Sequence, residues 1–221
     1  MRRRRGRSAR GGRVIVKVCG VRTAEIAEVA LDAGADWIGI VFEPRSVRYA
    51  NDAEAQAVRA AVGTRADVVG VLVDPSLQQC DEAAWRYRLS AVQVHGRVDP
   101  ELALACSVPV IPGINISDAH SAYTLQWWPD CLVLIDAPAR ELPGGTGVAL
   151  PLEVAGQVAR HRPVILSGGL RPDTVAEAVR AVRPRGVDAS SGLERTPGVK
   201  DAELVAAFVR SARTAQAPVT A

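Results

Sequence analysis

Short apolar runs and longer amphipathic stretches alternate along this chain from residue 14 onward. The apolar runs fall at 14–18, 37–42, 68–73, 91–94, 108–111, 131–135, 163–166 and 186–189. Each is rich in β-branched residues and bounded by Gly, Pro, Asp or Ser, which is how short buried strands read. The segments between them carry helical periodicity. In Thr23–Gly34, Thr23 is placed to cap a helix, Ile26, Val29, Ala30 and Ala33 recur at helical spacing, and Gly34 supplies the stop. Residues 172–182, opened by Pro172, and residues 201–212, opened by Asp201, repeat the pattern.

Eight strand–helix units in about 200 residues predict an α/β protein built as a single closed (β/α)₈ barrel, the TIM-barrel architecture. An open, doubly wound sheet shares the alternation, but eight regular units favour closure. No linker-like stretch divides the chain. The expected organisation is therefore a basic extension at 1–13, one catalytic domain at 14–213 and a short tail at 214–221. Hydrophobic residues make up 48% of the sequence and aromatic ones only 4%, so the core must be mostly Val, Ala, Leu and Ile.

Charge changes the picture only at the N-terminus. Residues 1–13 hold seven arginines and no acid. Removing them from 27 basic residues leaves 20 against 24 acidic ones, a body charge of about −4. Any nucleic-acid contact is thus expected of the tail alone, whose first reading is a disordered extension or a start placed too far upstream. The tail lacks an apolar segment and is not a secretory signal. No apolar run is long enough for a membrane helix, and the four cysteines (19, 80, 106 and 131) form neither CxxC pairs nor a Cys/His cluster. The expectation is a cytoplasmic protein without membrane partner, disulfide framework, metal or cofactor.

In such a barrel chemistry belongs just after the strands, with phosphate held by the loops after strands 7 and 8. Cys19 closes strand 1 in Val-Ile-Val-Lys-Val-Cys-Gly; alone it would read as a small buried hydrophobe. Phe42–Tyr49 after strand 2 carries Arg45 and Arg48, and His95 follows strand 4. Asp136 closes the wholly apolar strand 6 and must find water, a partner or a task. A Gly-rich segment, Pro143–Gly147, follows it. Ser167-Gly168-Gly169-Leu170 after strand 7 and Asp188-Ala-Ser190-Ser191-Gly192 after strand 8 can aim backbone N–H groups at an anion. A thiol base and a carboxyl acid across a phosphate-holding mouth suit an aldose–ketose type isomerisation.

The motifs KVCG, FEPRSVRY, QVHG, LIDAP…GGTG, SGGLRPDTV and VDASSGLERTPGVKD occur in this order through residues 17–201. Together they resemble phosphoribosylanthranilate isomerase, a barrel enzyme of tryptophan biosynthesis. The resemblance implies an Amadori rearrangement of N-(5′-phosphoribosyl)anthranilate to 1-(2-carboxyphenylamino)-1-deoxyribulose 5-phosphate. It makes Asp136 the general acid and Cys19 the general base, a role that a rim lowering the thiol pKa would favour. It gives Arg48 to the substrate carboxylate, and Gly168, Gly169, Ser190, Ser191 and Gly192 to the phosphate. His95 and Asp188 line the substrate pocket. The implied partner is a small phosphoribosyl substrate, with no cofactor or metal, and the chain is expected to be a monomer or a homodimer.

Two segments depart from the family pattern. Lys-x-Phe-Asp-Trp is usual after GGTG, where this chain has Val148–Glu153, and a Lys is usual near the tip of strand 5, where it has Val110-Ile-Pro-Gly-Ile114. Two alternatives therefore stand beside the isomerase. One is a paralogue acting on a related phosphoribosyl-amine, and the other is a weakened barrel serving as a binding module.

Overall fold

The computed structural model describes residues 13–116, 125, 131–136 and 152–215. Eight parallel strands form a closed barrel: β1 (Ile15–Cys19), β2 (Trp37–Val41), β3 (Asp67–Val73), β4 (Ala91–His95), β5 (Val110–Asn115), β6 (Val133–Asp136), β7 (Val164–Leu166) and β8 (Gly186–Ala189). Each strand pairs with the next, and β8 returns to β1 with Lys17 opposite Asp188. The helices around them are α1 (Ala24–Asp32), α2 (Asp52–Val62), α3 (Leu77–Tyr87), α4 (Pro100–Ala105), α5 (Leu152–His161), α6 (Val175–Val182) and α7 (Ala202–Thr214). A 3₁₀ turn at Ser191–Leu193 and a small hairpin, β9 (Glu194–Thr196) with β10 (Val199–Lys200), follow β8.

The local signals explain the elements. Thr23 accepts a hydrogen bond from the Ile26 amide, and Gly34 after α1 takes a left-handed φ of +99°. Asn51 with Glu54, and Ser76 with Gln79, form reciprocal capping boxes at the starts of α2 and α3. Asp201 caps α7 by accepting from the amides of Glu203 and Leu204.

Two boundaries differ from expectation by more than two residues. β5 runs on to Asn115, beyond the expected end at Ile111, although Pro112 cannot donate to a ladder. The proline falls where pairing passes from β4 to β6: Pro112 is the last residue opposite β4, and Gly113 the first opposite β6. Helix α6 starts at Val175 rather than Pro172, because residues 172–174 form a turn in which the Thr174 hydroxyl accepts from the Arg171 amide.

The strands bury both faces. Their outer sides pack on the helices in one large core, and their inner sides fill the barrel with Val69, Ala91, Ile111, Leu134 and Ile165. At the N-terminal end Asp36 accepts from the Val16 amide and from Arg13 at 2.7 Å, and it also pairs with Arg213 of α7. Arg213 further donates to the carbonyls of Gly34 and Val14, fastening the last helix to the first strand. Residues 1–12 and 216–221, and the Gly-rich segment at 143–147, lie outside the described residues, as does most of 148–153. Among the described residues no helix is long and apolar enough to cross a membrane.

Candidate functional site

Side chains alternate across a strand, so the residues two positions beyond the apolar filling of the barrel form its next inward layer. On β1 that face carries Lys17 and then Cys19, on β4 Gln93 and then His95, on β6 Asp136, and on β8 Asp188. The layer above the filling is therefore mostly polar, with Val71 of β3 as an apolar member, and it opens at the C-terminal rim.

Lys17 is fully buried, and its ammonium lies 2.9 Å from Asp188 Oδ1. Burial works against that charge, but Asp188 and then Cys19 outweigh it and hold Lys17 above the ordinary lysine value. Gly39 of β2 makes the room. A Cβ there would lie 2.9 Å from Cys19 Sγ and 3.1 Å from Lys17 Nζ, so thiol and ammonium share one space. Cys19 is 6% exposed and packs against Val41 and Val71. Burial pushes its thiol above the ordinary value, and the pull of Lys17 only partly offsets this. The rim thus does not lower the Cys19 pKa in the way a base assignment invites. Desolvation is the larger effect.

The Gln93 side-chain amide and His95 Nε2 are hydrogen-bonded at 2.7 Å, so the amide fixes the orientation of the ring. The ring lies over Gly113, where a Cβ would come within 2.6 Å of it. Burial, and then the Lys17 charge, hold the imidazole down to about 4, so His95 is neutral at physiological pH. Gln93 Oε1 is buried without a hydrogen-bond partner among the described residues, an acceptor on the inward face.

Asp136 ends β6 half-buried, on the same face as Leu134 and opposite Asn115 in register. Counted around the ring, three strand pairings separate β6 from β1, which puts Asp136 across the mouth from Cys19.

The loops after β7 and β8 interlock. Gly168 and Gly169 take φ of +92° and +70°, a backbone that other residues rarely adopt. A Cβ on Gly192 would sit 2.1 Å from the Leu170 carbonyl, so only glycine lets the two loops touch. Ser190 donates its hydroxyl to the Cys19 carbonyl at 3.1 Å, joining this pair of loops to the end of β1.

The Arg48 side chain is 13% exposed and grips Glu194 through Nε at 2.7 Å and Nη2 at 2.9 Å. Lys200 donates to Glu194 at 2.6 Å and to Ser190. Burial would raise the Glu194 carboxyl, but hydrogen bonds from Arg48 and Lys200 outweigh it and the group stays below its ordinary value. Burial also lowers Lys200.

The structure therefore gathers Cys19, Asp188, His95 and Ser190 around one mouth, with Arg48 at its edge. Asp188 is engaged by Lys17, and Arg48 by Glu194. Lys17, Gln93, Glu194 and Lys200 were not among the residues singled out from the sequence. Lys17 had a visible signal, a charge inside an apolar strand two residues before Cys19. Among the described residues no group of three His, Cys, Asp or Glu side chains could hold a metal ion.

Comparison with known proteins adds four likenesses. The family model for N-(5′-phosphoribosyl)anthranilate (PRA) isomerase matches residues 16–211. The N-(5′-phosphoribosyl)anthranilate isomerase of Geobacter metallireducens is 37% identical over 200 residues, covering 90% of this chain and 99% of its own. Two solved structures superpose closely. One shows monomers of the dimeric phosphoribosylanthranilate isomerase of Thermotoga maritima, with TM-score 0.81, 29% identity, and coverage of 91% of this chain and 99% of that one. The other is a phosphoribosylanthranilate isomerase in complex with reduced 1-(o-carboxyphenylamino)-1-deoxyribulose 5-phosphate, with TM-score 0.79, 29% identity and the same coverage.

Proposed function

The chain belongs to the N-(5′-phosphoribosyl)anthranilate isomerase family, and from that membership we propose how its rim residues divide the work. The reaction is the Amadori rearrangement of N-(5′-phosphoribosyl)anthranilate to 1-(2-carboxyphenylamino)-1-deoxyribulose 5-phosphate in tryptophan biosynthesis. The substrate's phosphate sits against the interlocked loops bearing Gly168, Gly169, Ser190, Ser191 and Gly192, whose geometry suits an anion. Its carboxylate meets Arg48.

Asp136, as general acid, protonates the ribose ring oxygen. The bond from that oxygen to C1′ breaks, the anilino nitrogen supplies the electron pair, and an iminium forms. That cation acidifies the proton on C2′. Cys19, as thiolate, removes it, and the C–H electron pair moves into a C1′–C2′ double bond while the nitrogen regains its lone pair. The resulting enolamine tautomerises to the ketone. His95, neutral and oriented by Gln93, is suited to hydrogen-bond a sugar hydroxyl without competing as a base.

The observation that carries this reading is the shared space over Gly39, where the Lys17 ammonium stands beside the Cys19 thiol. A thiol in a desolvated pocket stays protonated, and an adjacent fixed cation is what favours its thiolate. The test is complementation of a tryptophan auxotroph lacking this isomerase. Wild type should restore growth, whereas Cys19→Ala and Asp136→Ala should not, although both fold. Growth supported by either variant refutes its assigned role.

We read the assembly as a monomer or homodimer in the cytoplasm, the Thermotoga maritima protein being described as dimeric. Sedimentation at micromolar concentration decides between the two states.

A further inference from the structure

Arg48 is the only cation of its loop that another element buries. Its guanidinium is planar and offers two edges for paired hydrogen bonds, one through Nε and Nη2 and one through Nη1 and Nη2. Glu194 takes the first edge with both oxygens, at 2.7 and 2.9 Å, and this leaves the second directed away from it. The carboxylate doing so is itself fixed. Its Oε1 also accepts from Lys200 at 2.6 Å, its Oε2 accepts from the Gly198 amide at 3.1 Å, and its side chain is 4% exposed.

The arm of Arg48 is fixed as well. A Cβ on Gly20 would come within 3.0 Å of Arg48 Cδ and 3.1 Å of Ser190 Oγ, so arm and serine both rest on the turn that follows Cys19. Lys200 completes the connection by donating to the Ser190 carbonyl at 3.0 Å and hydroxyl at 3.2 Å. Two cations and one carboxylate lie buried together, so one positive charge stays uncompensated, which suits an anionic group arriving at the open edge.

We propose that Glu194 is the positioning residue for Arg48: it holds the guanidinium so that its free edge receives the substrate carboxylate, and through Lys200 it links that grip to the loop that holds the phosphate. The proposal rests on Arg48 being the carboxylate ligand. It differs from a competing arrangement in which Glu194 merely occupies Arg48 and must be displaced. Positioning predicts weaker capture of the substrate when Glu194 is neutralised, whereas competition predicts tighter capture.

The experiment compares two substrates, N-(5′-phosphoribosyl)anthranilate and the carboxylate-free N-(5′-phosphoribosyl)aniline, on wild type, Glu194→Gln, Arg48→Gln and the double variant. For Glu194→Gln, KM for the carboxylated substrate should rise about tenfold with a much smaller change in kcat, as loss of a charge-assisted contact would give. The loss in kcat/KM for the aniline compound should be several-fold smaller. The double variant should be no worse than Arg48→Gln alone, because the two side chains act as one unit.

If Arg48→Gln discriminates between the substrates as wild type does, the carboxylate reading falls and the proposal with it. If Arg48→Gln loses discrimination while Glu194→Gln keeps the wild-type KM, lowers it, or damages both substrates equally, the Glu194 proposal alone is overturned. Should Glu194→Gln fail to fold, Glu194→Asp serves in its place, since the shorter carboxylate cannot span Arg48 and Lys200 together.

Discussion

The inner faces of the same eight strands carry two opposite materials only two residues apart. The lower layer, Val69, Ala91, Ile111, Leu134 and Ile165, is wholly apolar. The layer above it buries Lys17, Gln93 and Asp188. The lower layer gains from removing hydrocarbon from water, at about 25 cal/mol per Å². The upper one gains little from burial, because desolvating an ion pair offsets most of its attraction. The barrel therefore places its stability below and its chemistry above, and glycines at 39 and 113 supply the room that the polar side chains occupy.

This division can be broken at four points. The largest effect belongs to the rim. Cys19→Ala should cut kcat about 10³-fold while leaving the melting temperature close to wild type, as steady-state kinetics and calorimetry together would show. Cys19→Ser tests the same residue by pH. Because burial raises the Cys19 pKa, kcat/KM should climb through an ionisation above the ordinary thiol range, with the active thiolate on its basic side. The serine variant should lack that limb. A profile unchanged by the substitution would remove the thiol from the mechanism.

Next comes the lower layer. Leu134→Ala should cost about 2–5 kcal/mol in denaturant unfolding with kcat nearly unchanged. A comparable loss of kcat would mean that the two layers are not separable.

The third test exchanges one material for the other. Lys17→Met combined with Asp188→Asn removes the buried pair, and stability should stay within about 2 kcal/mol of wild type. Activity should fall about 10- to 100-fold, with the thiol limb moved further to the basic side because the pull of Lys17 is gone. Lys17→Met alone should be the worse protein, since it strands the Asp188 charge.

The smallest effect concerns acid. His95 titrates at about 4 in the fold, below its ordinary value of 6.5, so the unfolded chain binds the extra proton first. The stability that His95 contributes is present above about pH 6.5 and is lost as pH falls towards 4. His95→Gln should reduce the drop across that window by about 1 kcal/mol or more, read from urea midpoints at each pH.

The parts of this arrangement differ in how well the sequence discloses them. Strand positions are legible to within a few residues because a strand buried on both faces needs an unbroken apolar run, and such runs stand out between amphipathic helices. Cys19 and Asp136 are legible because each interrupts such a run at its C-terminal end. Lys17 is only half legible: its charge inside an apolar run is visible, but nothing local says whether it points inward, and only closure of β1 on β8 brings it opposite Asp188. Glu194 and Arg48 are 146 residues apart, so their pairing belongs to the tertiary fold alone. The late start of α6 was hidden for a simpler reason: a threonine hydroxyl can cap a helix or a turn, and Thr174 serves the turn.

Arg213 and Val14 meet across 199 residues of chain. At about 5–20 residues per second, a ribosome needs roughly 10 to 40 s between releasing one and releasing the other. For most of that interval β1 has no β8 to pair with, and its edge is open to any other extended chain. The ring fastening that serves the finished molecule is thus also a schedule: the first strand made is the last to be sealed. Aggregation of nascent chains, rather than of the completed protein, is where weakening Asp36 or Arg213 should first be felt.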